Sequence, residues 1–76
     1  MVSAYILIMC KSGAEQEILS RLKVDPKISN VAIVYGEWDV IAKVTTNSIE
    51  EINSFVIQKL RPIENIEKTA TLITVS

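Results

Sequence analysis

A short polar segment between two apolar runs holds the residues best suited to chemistry. In VYGEWDVIAKV, residues 34–44, a β-branched run stops at Gly36, and Glu37, Trp38 and Asp39 precede the next apolar residues. Glycine supplies the positive φ that many turns require, but a turn needs neither a tryptophan nor two carboxylates. A large amphipathic ring at an exposed tip is typical of an interface anchor. Asp39 can either cap the turn by accepting a backbone N–H or bind a ligand, and composition alone favours the cap.

Two threonines near the end of the chain form a second candidate set. Thr69 and Thr71 alternate within a segment with the pattern of a strand, so their side chains share one face. They are either simple β-formers or a row of hydroxyl donors and acceptors for a small polar ligand. The residues themselves leave both interpretations open.

The residue types of most catalytic and metal sites are missing. The chain has no histidine and one cysteine, Cys10, which disfavours a zinc site and excludes an internal disulfide. Catalysis usually needs a base beside a nucleophile, and a thiol in an apolar strand is typically buried and inert. The two glycines do not form a phosphate-binding loop, and a net charge of -1 argues against a nucleic-acid surface. We therefore expect a protein that is not an enzyme, holds no metal or cofactor and makes no direct nucleic-acid contact.

The size of the chain points to oligomerisation. A domain of 76 residues buries a limited share of its surface when it folds alone, and no disulfide or metal is available to add stability. No apolar run reaches the length of roughly 18–20 residues needed to span a bilayer. The apolar N-terminus lacks the basic region of a signal peptide, so we expect a cytoplasmic protein without membrane contact.

The hydrophobic periodicity predicts four strands and two helices. We expect strands at residues 3–10, 31–35, 40–44 and 67–75 and a first helix at residues 13–23. The second helix opens at Asn47-Ser48 and ends before Pro62. Each helix begins with the capping-box pattern, Ser12 with Glu15 and Ser48 with Glu51.

The order of these elements is βαββαβ, and its two halves resemble each other. Ser12, Glu15 and Pro26 each return 36 residues later, as Ser48, Glu51 and Pro62. Two βαβ halves joined by a hairpin predict an α+β, ferredoxin-like fold, with a four-stranded antiparallel sheet and both helices on one face. Residues 1–76 then form a single domain.

The first strand predicts that the other face of the sheet is also covered. Ile6 and Ile8 point to one face, and Tyr5, Leu7 and Met9 point to the other. Two helices can cover only one face, and an apolar patch left on the other marks an interface. We therefore expect at least a dimer, packed through the open sheet face.

Two segments resemble a known family. The run NVAIVYGEWDVIAKV is similar to the hairpin of the effector-binding (RAM-type) domain of the Lrp/AsnC transcriptional regulators, with Gly36 and Asp39 at the fixed positions and Glu37 and Trp38 at the variable ones. The closing IEKTATLITVS resembles the last strand of that domain, with its recurring threonines. The resemblance covers essentially the whole chain.

The resemblance implies a function and a site. It implies a ferredoxin-like domain that dimerises through its sheet, often assembles into rings, and binds an amino acid near the hairpin turn between neighbouring dimers. Gly36 and Asp39 would line this site, Thr69 and Thr71 would add polar contacts, and Glu37 and Trp38 are candidates for selecting the ligand. An Asp carboxylate suits the ligand's ammonium group, and backbone amides at a glycine turn suit its carboxylate.

One departure from the family pattern is large. Members usually carry a helix-turn-helix domain ahead of this module, whereas the first strand here is expected to begin near residue 3. The resemblance therefore implies a stand-alone module that could join full-length Lrp/AsnC regulators in mixed assemblies. Three alternatives remain: a purely structural interaction protein, an ACT-type amino-acid sensor with its site at another interface, and a small enzyme, which the missing histidine disfavours.

Overall fold

The computed structural model describes residues 1–75, and its elements follow the predicted βαββαβ order. They are β1 (Val2–Cys10), α1 (Glu15–Lys23), β2 (Ile28–Ile33), β3 (Val40–Thr46), α2 (Ile49–Phe55) with a π-helical continuation (Val56–Leu60), and β4 (Ile66–Ile73). The strands form one antiparallel sheet in the order β2-β3-β1-β4. The predicted ferredoxin-like fold is confirmed. No helix within the described residues is both long and apolar enough to cross a membrane.

The core lies between one face of the sheet and the two helices. Alternate residues of β1 and β3 are buried there, because successive side chains of a strand point to opposite faces. They meet Ile18 and Leu22 of α1 and Phe55 and Leu60 from the second helical segment. The second helical segment therefore buries apolar residues against the sheet.

The second helix begins with the predicted cap. The Ser48 hydroxyl accepts a hydrogen bond from the Glu51 N–H at 3.3 Å. The Glu51 carboxylate accepts one from the N–H of Asn47 at 2.8 Å, one residue earlier than a capping box requires. The side chains of Ser48 and Glu51 therefore each accept a backbone N–H at the start of this helix.

The capping box predicted for the first helix is wrong. The N-cap residue is Ala14, which makes no side-chain cap, and Ser12 lies outside the helix. Gly13 adopts φ +92°, a left-handed conformation that a helix cannot include, so the helix starts after it. Glu15 instead folds back and accepts a hydrogen bond from the Gly13 N–H at 2.9 Å.

The second strand also starts and ends earlier than predicted. Its ladder ends at the pair Ile33 and Val40, so Val34 and Tyr35 belong to the connection rather than to the strand. The Val34 N–H donates to the carbonyl of Asp39 at 2.9 Å, which closes a loop over residues 34–39. The apolar run at 31–35 concealed this boundary because it does not change character where the pairing stops.

The two ends of the described chain lie side by side. The backbone N–H and the hydroxyl of Thr74 both donate to the carbonyl of Ser3, at 2.9 and 3.0 Å. Strand β4 itself ends at Ile73, two residues before the predicted end. The start of β1 and the end of β4 therefore share one end of the sheet, and the 34–39 loop lies at the opposite end.

The face of the sheet away from the helices is apolar at its centre. Tyr5 pairs across the ladders with Leu72, and Leu7 pairs with Ile41 and Ala70. Leu72 is 56% exposed and Tyr5 is 37% exposed, and neither belongs to the core cluster. We call this surface the open face.

Candidate functional site

Gly36 gives the 34–39 loop a backbone conformation that other residues rarely adopt. Its φ is +115°, and no heavy atom would lie within 4 Å of an added Cβ. Residues with a side chain rarely adopt this φ, so glycine is required by backbone conformation rather than by a close neighbour. The predicted positive φ at this turn is confirmed.

Asp39 ties the loop to the end of β1. Its N–H donates to the Ile8 carbonyl at 2.9 Å, and its carboxylate Oδ2 accepts from the Cys10 N–H at 2.9 Å. The carboxylate thus binds a backbone amide, as the capping interpretation expects, but in another strand rather than in its own turn. Within residues 1–75 the second carboxylate oxygen makes no hydrogen bond. Asp39 therefore combines a structural contact with one free acceptor.

Trp38 lies against a cation that sequence reasoning missed. The side chain is half-buried, and the Lys68 Nζ lies 5.6 Å from the centroid of its ring. A cation at this distance over an indole is attracted by the ring. No local pattern could have identified Lys68, because its proximity to the loop depends on the pairing of Met9 with Lys68 across the β1–β4 ladder.

The two threonines share one face, as predicted, but not the face of Lys68. Thr69 and Thr71 pair with Ile8 and Ile6, whose side chains are buried beneath the helices. Lys68 has the opposite orientation in the strand. Thr69 also lines a cavity of about 260 Å³ with Arg61, Ile66, Glu67 and Lys68. The structure therefore brings Thr69 near the end of the sheet where Lys68 meets Trp38, while Thr71 lies further along the strand.

Glu37 is exposed within the loop. It makes no ion pair or side-chain hydrogen bond within residues 1–75. Tyr35, on the other side of Gly36, is fully exposed. Tyr35 and Glu37 are therefore the exposed side chains of the loop.

Cys10 is a buried thiol beside this site. Its side chain belongs to the core and is 6% exposed. Burial raises the pKa of the thiol above its ordinary value, and the negative charges of Asp39, Glu15 and Glu67 raise it further. This agrees with the prediction of a buried thiol, and a raised pKa opposes the thiolate that a nucleophile needs. No cluster of three or more potential metal ligands occurs in the described chain.

The loop end of the sheet thus presents an anion, an aromatic ring and a cation. These are Asp39, Trp38 and Lys68. A free carboxylate oxygen can accept from an ammonium group, and a lysine can donate to a carboxylate. The arrangement suits a small zwitterion with an apolar part.

Comparison with known protein families yields one match over almost the whole chain. A family model described as the Lrp/AsnC ligand binding domain matches residues 3–76. An uncharacterised HTH-type transcriptional regulator of Pyrococcus furiosus is 36% identical over 75 residues, and the match covers 95% of this chain and 50% of the relative. The chain therefore spans about half the length of that relative.

Solved structures share the fold over the whole chain. The crystal structure of FFRP-DM1 has a TM-score of 0.94 at 35% identity and covers 99% of this chain and 100% of that chain. A transcriptional regulator of Neisseria meningitidis, solved as a complex with L-Met, has a TM-score of 0.89 at 13% identity and covers 99% of this chain and 50% of that chain. At that identity the second likeness shows the fold alone.

Proposed function

Because this chain belongs to the Lrp/AsnC ligand-binding domain family, we propose that it is a non-enzymatic regulatory module that binds an amino acid or a related small metabolite. The observation that carries the proposal is the Trp38–Lys68 contact beside the free carboxylate oxygen of Asp39. The regulator from Neisseria meningitidis that shares the fold was solved with L-Met, which supports an amino acid as the class of ligand.

In the proposed site, the loop and Lys68 of β4 together bind the two charged groups of the ligand. Asp39 accepts from the ligand's ammonium, while Lys68 and the backbone amides around Gly36 receive its carboxylate. Trp38 and Glu37 contact the ligand's side chain and select it. Thr69 contributes a hydroxyl from the adjoining cavity. Thr71 lies two residues further along β4 and is the residue of the proposed site most distant from the loop.

The proposed assembly is at least a dimer through the open face, and such dimers assemble further into rings. The exposed apolar side chains of that face, including Leu72 and Tyr5, support it, because packing a second sheet against them removes apolar area from water. The fully exposed tip of the loop then lies free for contact with a neighbouring dimer, which would complete the ligand site.

The proposed role in transcription is indirect. The relative of which this chain spans about half is an HTH-type transcriptional regulator, and the net charge of -1 of this chain does not favour a nucleic-acid surface. We place the module in the cytoplasm, where it joins full-length Lrp/AsnC regulators through matching sheet faces and makes no direct contact with nucleic acid or membrane.

Calorimetric titration of the twenty amino acids tests the ligand proposal. Saturable heat for one or a few is expected, and Asp39→Asn should weaken it at least tenfold, because the substitution removes the charge but keeps an oxygen acceptor for the Cys10 N–H. Asp25→Asn is the matched control, since Asp25 also accepts a backbone N–H, from Lys27 at 2.9 Å, in an exposed turn.

A second readout places the site. Trp38 is the single tryptophan, so a ligand bound at the loop should change the protein's tryptophan emission, and Lys68→Met should reduce affinity. Absence of heat for every amino acid at millimolar concentration would contradict the sensor proposal. A purely structural interaction protein, supported by the apolar open face, would then be the better description.

A further inference from the structure

The open face carries positive charge without a matching negative charge. Lys43 pairs with Tyr5 in the β1–β3 ladder, and Lys68 pairs with Met9 in the β1–β4 ladder. The remaining residues in register with them on this face are apolar or uncharged in all four described strands: Ser3, Leu7, Asn30, Ala32, Ile41, Thr45, Ala70 and Leu72. Two carboxylates lie near the loop end of the sheet: Asp39 precedes β3, and Glu67 lies in β4 next to Lys68, at the β1–β4 bulge.

Lys43 lies on this surface directly beside its apolar centre, paired with Tyr5 across the β1–β3 ladder. It projects from β3, one of the two inner strands, and its Nζ lies 5.9 Å from the centroid of the Tyr5 ring. Together with Asn30, Ala32 and Ile41, these two side chains line a depression of about 200 Å³. Lys43 is already half-buried, and no ion pair involves it within residues 1–75.

A second sheet packed on this face would remove the Lys43 ammonium from water. An ammonium has three donors, and the ring of Tyr5 compensates its charge only in part. A charge buried without a partner is strongly unfavourable, while an opposite charge across the interface offsets the loss of water. A second copy of this chain brings two more lysines to the interface, and the open-face strand positions named above include no carboxylate.

We infer that the open face is a selective docking surface for a related sheet that presents a carboxylate opposite Lys43, and that it pairs with such a face in preference to itself. The argument for this occupant is charge complementarity on an apolar surface. The inference rests on the proposed assembly through the open face and adds to it the chemistry of the preferred partner. The homodimer is then the weaker of two assemblies, and the cation at Lys43 determines the choice.

A variant of the chain itself serves as the acidic partner. Wild-type protein is mixed with an isotope-labelled Lys43→Glu variant, and native mass spectrometry measures the two homodimers and the mixed dimer after exchange. Random mixing makes the mixed dimer twice as abundant as either homodimer. The inference predicts that the ratio of mixed dimer to either homodimer is at least about tenfold higher than random mixing gives. The reason is that opposite charges replace like charges across the interface.

Two further variants locate the effect. Lys59→Glu makes the same change in net charge on the helical side, where Lys59 is exposed, and its mixture with wild type should stay random. Lys43→Met removes the charge while keeping an unbranched apolar stem, and it should strengthen the homodimer.

The outcomes separate this inference from the proposed assembly. Wild-type dimers that mix randomly with Lys43→Glu would overturn the inference and leave the homodimer intact. Monomeric wild type that forms a dimer only with Lys43→Glu would support the inference and remove the homodimer from the proposed function. Monomers in every mixture would overturn both.

Discussion

The carboxylate of Asp39 accepts a hydrogen bond from the backbone N–H of Cys10 at 2.9 Å, across 29 residues of sequence. This bond joins the loop ahead of β3 to the last residue of β1. The residue proposed to hold the ligand's ammonium is therefore also a structural tie, and its two roles can be separated by choice of substitution.

Loss of the Asp39 side chain should destabilise the fold. Asp39→Ala leaves the Cys10 N–H without its charged acceptor, and such bonds contribute about 1.5–3 kcal/mol. Asp39→Asn retains an oxygen acceptor and should lower the free energy of unfolding by less, while Asp25→Ala, in an exposed turn, should lower it by under about 1 kcal/mol. Urea denaturation measures all three, and equal losses for the two alanine variants would contradict the structural role of Asp39.

Cys10 should be unreactive until the pH is high. Its pKa is raised above the ordinary 9.0 by burial and then by Asp39, Glu15 and Glu67, so the folded protein holds the thiol proton where the unfolded chain has lost it. Reaction with a thiol reagent at mildly alkaline pH should be at least about tenfold slower than in the urea-unfolded chain.

The same raised pKa gives a stability prediction of definite sign. The folded state binds more protons than the unfolded state above the ordinary thiol pKa, so the free energy of unfolding should fall as pH rises past 9.0. Cys10→Ala should show a shallower fall over the same range. An identical pH profile for both proteins would show that Cys10 does not contribute.

The two glycines offer a matched pair of substitutions. Gly13 and Gly36 have φ of +92° and +115°, and neither has a heavy atom within 4 Å of an added Cβ. Alanine at either position should cost about 1–3 kcal/mol of backbone strain, measured by thermal or urea unfolding. Only Gly36→Ala should also weaken ligand binding, because Gly13 lies at the start of α1. Equal binding by both variants would exclude the Gly36 backbone from the site.

Leu7 should control assembly through the open face. It lies between Ile41 and Ala70 on that face, so Leu7→Arg would place a third cation at the centre of the interface and should shift the protein to monomers in sedimentation experiments. Val24, which is 82% exposed beyond α1, provides the control, and Val24→Arg should leave the oligomeric state unchanged. A dimer that persists in Leu7→Arg would place the interface elsewhere.

The fold could be predicted because its patterns are strong and local. Ile6 and Ile8 alternate with the open-face residues, and the second helix has both a stripe of core residues and a real cap at Ser48. The predicted start of the first helix and the predicted end of the second strand were wrong because backbone conformation and strand pairing, rather than hydrophobic pattern, set these boundaries. Gly13 takes a left-handed φ that delays the first helix, and the apolar run through Tyr35 continues after the ladder has ended.

The candidate site was less predictable because it depends on register. Gly36 and Asp39 could be identified from the loop itself, and the shared face of Thr69 and Thr71 followed from alternation. Which face the threonines take, and the approach of Lys68 to Trp38, depend on pairing between β1 and β4. The bond from Cys10 to Asp39 likewise joins residues far apart in the chain.

The hydrogen bonds between Thr74 and Ser3 also affect how the domain can be connected to others. Strand β1 has nine residues, so the paired chain ends are separated from the 34–39 loop by roughly 25 Å. A domain fused to either end would therefore be attached at the end of the sheet opposite the loop. The same closeness of the ends makes the fold suitable for circular permutation: a short linker could join Thr74 to Ser3, and the chain could be opened elsewhere without moving a strand.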